Sequence, residues 1–220
     1  MNVKFIPRVL GAAALTLGLA SMPAHAATMT LTLNTVFNGT SPTSTSPWLT
    51  AVFTDITGGV QLTLTSSLNV SSEFFSDVTF NVDSAFVPSG IGMSQDASNP
   101  LAVSMLHTTQ DAQNLIGGGS LGKDFDFGIA WATSTGVGRF DGTDVKVFTL
   151  LATGLTAANF NTTNASGIKM GAHVQGIPSP AGTTSGAIKN GVPVPDGGMT
   201  LALLGGTLMG LGALRRRLRR

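Results

Sequence analysis

The chain has 220 residues, with 12 Lys and Arg against 11 Asp and Glu, 28 Gly and no Cys. Without cysteine there is neither a disulfide framework nor thiolate chemistry. The near-neutral total conceals an asymmetry: Lys4, Arg8 and five terminal arginines hold most of the positive charge, so that between Ala27 and Pro193 only five cations face ten anions. An acidic, sparsely charged body argues against nucleic-acid binding and against attraction to anionic lipid.

At the N-terminus, Lys4 and Arg8 precede an apolar run from Val9 to Ala20, and Ala24-His25-Ala26 places small residues at the −3 and −1 positions. This pattern predicts a secretory signal peptide over 1–26, cut after Ala26, with the Sec translocon and signal peptidase as partners. The run is shorter than the roughly 20 apolar residues that a stable membrane span needs.

The following segment, 27–175, is one domain's worth of chain and long enough to bury a core without staples. Apolar residues alternate with polar ones in Thr28 to Asn34 and in Val60 to Thr65. Val78, Phe80 and Val82 alternate likewise, as do Phe125, Phe127, Ile129 and Trp131. Val145 and Val147 lead a further strand, and Met170, Ala172 and Val174 mark a late one. Period-two alternation of this kind reads as half-buried strands. Turn clusters separate them: Asn38-Gly39-Thr40, Thr57-Gly58-Gly59, Pro88-Ser89-Gly90, Gly117 to Gly122, Gly136 to Gly138 and Asp141-Gly142. Short strands with frequent glycine turns predict an all-β antiparallel sandwich or jelly-roll-like domain. Residues 91–116 read as loop or helical turn, Thr156 as the N-cap of a short turn through Phe160, and 176–193 as a Gly/Pro/Ser/Thr linker.

The last segment, 194–220, has three parts. Val194, Pro195, Asp196, Gly197 and Gly198 form a short, polar, helix-breaking motif. Met199 to Leu214 follow as an apolar helix reaching about 24 Å, a marginal length for a bilayer core of about 30 Å. Arg215, Arg216, Arg217, Arg219 and Arg220 would hold the end on the cytoplasmic side of the inner membrane.

This order of motif, apolar helix and arginine cluster resembles the PEP-CTERM sorting signal of Gram-negative bacteria, in a variant with Val-Pro-Asp in place of Pro-Glu-Pro. The resemblance implies processing at the motif by an exosortase, an integral membrane cysteine protease-transpeptidase, in organisms that make exopolysaccharide. Delivery to the cell envelope, the surface or the medium would follow. Within the body, Pro47-Trp48-Leu49-Thr50-Ala51, Ser72-Glu73-Phe74 and Ala172-His173-Val174-Gln175-Gly176-Ile177 are similar to segments of exported PEP-CTERM proteins that have no assigned activity. The expectation is therefore a non-catalytic exported surface or matrix protein, with a carbohydrate- or calcium-binding module as the alternative and a secreted hydrolase as the distant one.

Several residues invite chemistry. Gly118 to Gly122 match G-x-S-x-G around Ser120, with Asp141, Asp144 and His173 downstream, but a nucleophile elbow needs a strand before the serine and a helix after it, and here a strand follows. Asp124 and Asp126, on one face of an expected strand, together with Asp141 and Asp144 in a turn, could supply oxygens to Ca²⁺. Glu73, the only glutamate, could pair with Asp77 or Asp83 as glycosidase carboxylates, although an exposed position at a strand edge is the plainer expectation. Asp126 is expected to face solvent. Trp48, after Pro47, is expected to be exposed and able to stack on a sugar, whereas Trp131 is expected in the core. His173 is expected to be hydrogen-bonded or exposed on a polar strand face, and with His107 it gives too few histidines for a zinc site. Asn38, Asn69, Asn161 and Asn164 stand in N-x-Ser/Thr triplets.

Overall fold

The computed structural model describes residues 26–96, 104–115, 122–134 and 138–191. Eleven strands account for about half of them: β1 Thr28–Gly39, β2 Leu49–Ile56, β3 Gly59–Ser66, β4 Phe74–Phe80, β5 Gly92–Gln95, β6 Ser104–Leu106, β7 Phe127–Ala130, β8 Phe140–Asp141, β9 Val145–Leu151, β10 Met170–Ser179 and β11 Gly182–Asn190. The six expected strands are present as β1, β3, β4, β7, β9 and β10, and β2, β5, β6, β8 and β11 are additional. The turn at Ala157–Phe160 carries the capping box of Thr156 with Asn159. The signal segment 1–25 and the tail 192–220 lie outside the described residues, and among those described no helix is long and apolar enough to cross a membrane.

All pairings between these strands are antiparallel, and they run through a single hydrogen-bonded sheet in the order β5-β9-β3-β2-β1-β11-β10-β4-β7-β6, with β8 beside β4. This differs from the expected pair of stacked sheets. The single sheet curls over its own concave face until it is nearly a barrel. Ring contacts show the curl: Phe53 of β2 lies edge-on 5.8 Å from Phe80 of β4, across three intervening strands. Trp131, just after β7, meets Phe148 of β9 at 6.3 Å, joining opposite ends of the ladder. The enclosed core contains fully buried Leu33, Leu49, Phe53, Leu62, Phe75, Phe80, Phe127, Phe140, Phe148 and Phe160. Burial of side chains of this size, each contributing about 1.5–3 kcal/mol, supplies the cohesion that disulfides would otherwise give.

Residues 176–191 are not a linker. β11 lies between β1 and β10 near the middle of the sheet, and its small residues permit close approach of a neighbouring chain: a Cβ on Gly186 would fall 1.9 Å from the Thr40 carbonyl oxygen. Extended Gly/Thr/Ser sequence is compatible with a linker or a strand, and pairing on both edges decides for the strand. Within 91–116, expected as loop or helical turn, Gly92–Gln95 and Ser104–Leu106 form the two edge strands β5 and β6, and the other described residues are loop and turn. In β9 the inward phase is Lys146, Phe148 and Leu150, while Val145 is exposed, because the two large side chains outweigh the two valines. Lys146 Nζ, wholly buried, is met by Asp144 at 2.9 Å and faces the Phe140 ring.

Candidate functional site

Glu73 precedes β4 and is fully buried, not exposed at a strand edge. Its Oε1 accepts from the Thr43 N–H at 2.6 Å and Oγ1 at 2.8 Å, and its Oε2 accepts from Ser44 Oγ at 2.7 Å. Three donors to one carboxylate are the arrangement that makes a buried acid tolerable. Ser44 Oγ in turn accepts from the Asn69 N–H, and the Ser44 carbonyl accepts from Trp48 Nε1 at 2.7 Å. Trp48 is therefore buried and committed, and it offers no stacking face for a sugar. The loop that carries it is folded back onto Glu73, a contact between segments about 30 residues apart that local pattern does not report.

Beside this anchor lies an open cleft of about 580 Å³ lined by Ser71, Ser72, Phe74, Thr133, Arg139, Gln175, Gly176 and Thr183. Its floor is made by two of the segments singled out in the sequence: Ser72-Glu73-Phe74 and Gln175-Gly176. Gly176, at φ +73, lies so close to Ser72 that no side chain fits. The Arg139 guanidinium covers the Phe74 ring at 3.9 Å from its centroid, and its Nε donates to the Thr133 carbonyl at 3.1 Å. Among the described residues, the side chains of Ser71, Ser72, Thr133, Thr183 and Gln175 make no hydrogen bond to protein. The volume lies within the range of ligand sites, about 300–1,000 Å³.

A second cluster arises at a bulge. On β4, Asp77 pairs with His173 of β10 and Phe75 with Val174, so that Ser76 is the extra residue. Ser76 Oγ is 2.9 Å from both His173 Nδ1 and Asp77 Oδ1, and that Asp77 oxygen is 3.6 Å from the same ring nitrogen. With the hydroxyl proton directed to Asp77, Nδ1–H donates to Ser76 Oγ. A hydrolase triad requires the nucleophile and the carboxylate on opposite ring nitrogens; here both share Nδ1, and all three residues are buried. The cluster satisfies polar groups at the bulge. The sequence hint was the His173 alternation; its partners depend on an irregular register and could not be read from spacing.

The four aspartates weighed for calcium do not come together. β7 begins at Phe127, so Asp124 and Asp126 share no strand face; Asp124 is in the left-handed region at φ 64. Asp126 is buried, contrary to its expected solvent exposure, and accepts the N–H of Val82 and of Asp111, each at 2.8 Å. The Asp126 N–H reaches the Phe80 carbonyl at one end of β4, and Asp141 pairs with Phe74 at the other, a separation of roughly 20 Å along the strand. Asp144 is held by Lys146. No group of three or more His, Asp or Glu placed to hold a metal occurs among the described residues. Asp126 instead borders a polar pocket of about 200 Å³ with Asn81, Asp83 and Asp111. Burial, the largest influence, pushes its carboxyl above the ordinary 3.8, aided by the charge of Asp111 and opposed by the two backbone N–H groups.

Asn164 is buried, its amide spent on the Lys123 carbonyl and its oxygen on Ser166 and Ile168, so its triplet is closed to glycosylation in the folded chain. Ser120, Ala24, the motif Val194 to Gly198 and the arginines 215–220 lie outside the described residues, whereas Ala26 is exposed at the start of the body. Compared with protein families, with characterised proteins and with solved structures, the chain matches none.

Proposed function

We propose that this chain is a non-catalytic exported protein of the cell surface or extracellular matrix, whose β domain binds a carbohydrate in the cleft between Phe74, Arg139 and Gln175. The cleft carries this reading: its hydroxyls and amide are uncommitted to protein among the described residues, and such groups are what a polyhydroxylated ligand pairs with. The carboxylates and histidine that a hydrolase would use are engaged in structural hydrogen bonds at Glu73 and at the β4 bulge, which favours binding over turnover. Export rests on the two ends of the sequence, with an exosortase acting at Val194 to Gly198.

Two experiments test it. Intact mass of the protein from the native host's envelope and medium should end near residues 194–198, and replacing Pro195 and Asp196 should block that processing; a mass retaining Arg220 removes the exosortase from the account. Polysaccharide pull-down should weaken with Gln175→Ala and stay unchanged with Trp48→Phe. Loss of binding in the Trp48 variant alone would move the site elsewhere. A second reading, calcium dependence, is favoured by Asn81 Oδ1, buried without a hydrogen-bond partner beside the pocket of Asp83, Asp111 and Asp126. A melting temperature that ignores calcium removes it.

A further inference from the structure

Arg139 sets the chemistry of the cleft's ligand, on the reading of that cleft as a carbohydrate site. Its guanidinium is held from two sides: the Phe74 ring lies beneath it, and Nε and Nη2 both donate to the Thr133 carbonyl. No carboxylate pairs with it among the described residues, and no acidic residue lines the cleft. Lys146 shows the contrast, because that cation is buried against its own aspartate. Five N–H groups radiate from a guanidinium, so three remain once Thr133 is served. A planar fork already fixed in place loses little freedom on pairing, and a carboxylate presents two oxygens that match it.

Around this cation stand hydroxyls of Ser71, Ser72, Thr133 and Thr183 and the amide of Gln175, which suit ring hydroxyls. The one aromatic ring here, Phe74, is capped by Arg139 itself, so the cleft offers no aromatic face to a peptide's apolar side chains, and its lining is mostly hydroxyl and amide. We infer that the cleft binds an acidic glycan, a chain of hydroxylated rings bearing carboxylates, with one carboxylate on the Arg139 fork and neighbouring hydroxyls on Gln175 and the serine and threonine rim.

The test uses the full chain in detergent and measures affinity for polygalacturonate, for its fully methyl-esterified form and for polyglutamate. The acid polysaccharide should bind about tenfold more tightly than the ester, the worth of one charge-assisted pair. Arg139→Gln should abolish that preference, and Arg139→Lys should restore only part of it, because an ammonium lacks the fork. Equal affinity for acid and ester overturns the inference while leaving the carbohydrate site standing. Binding of neither polysaccharide overturns both. Polyglutamate binding as tightly as polygalacturonate reassigns the cleft to an acidic peptide. Should Arg139→Gln lower the melting temperature, the acid-against-ester comparison on the unsubstituted protein still decides.

Discussion

A Cβ placed on Gly176 would lie 1.8 Å from the carbonyl oxygen of Ser72. Two distant stretches of chain are thereby locked backbone to backbone at the floor of the cleft, at a position whose φ of +73 already favours glycine. The close approach joins the bulged part of β10 to the turn before β4, and so it fixes where Gln175 and Phe74 stand relative to each other.

Gly176→Ala is expected to destabilise the protein by at least about 2 kcal/mol, combining left-handed strain with displacement of a backbone that cannot yield. Urea denaturation measures the loss, and polysaccharide binding should fall with it because the floor opens. A variant as stable as the parent would mean that the two segments do not meet in this way.

Glu73→Gln replaces one acceptor oxygen by an NH₂ that must face a donor, either the Thr43 pair or Ser44. The substitution keeps the volume and loses at least one charge-assisted hydrogen bond, so stability should drop by about 2 kcal/mol. Because Trp48 and the loop before it hang on the same network, its tryptophan fluorescence should shift to longer wavelength. A glycosidase acid would instead lose activity with stability unchanged.

Asp126 gives a pH dependence of defined sign. Its folded-state pKa is raised above 3.8, chiefly by burial, so the folded protein holds this proton more tightly than the unfolded chain. The stabilisation is complete below the unfolded value and is lost as pH rises through the folded value. Measured against Asp126→Asn, which has no proton to lose, the parent should therefore become relatively less stable as pH climbs out of the carboxylate range. A relative gain with rising pH would show that the two backbone N–H bonds outweigh burial.

Alternation announced β1, β3 and β7, because a strand with one face in the core must place apolar residues at every second position. It was less informative where phase or pairing decided the outcome. Val145 and Val147 suggested one inward face for β9, and the larger Phe148 and Leu150 took Lys146 inward instead. Trp48 read as exposed because the residues around it are polar; those same serines and threonines fold back as donors to Glu73 and bury it.

The sequence by itself determined that the body is β-structured, that the chain turns at Gly58 and at Gly142, and that Thr156 caps a turn, since these follow from side-chain period and backbone preference within a few residues; the turn expected at Asn38-Gly39 is instead the paired end of β1. Tertiary structure decided that one sheet curls on itself instead of two stacking, that 182–190 is an inner strand, and that Ser72, Arg139 and Gln175 share a cleft while Asp126 and Asp141 stand apart. Those outcomes depend on which strand edges pair and in what register. A period of two specifies the face of each residue but carries no address for the neighbouring strand.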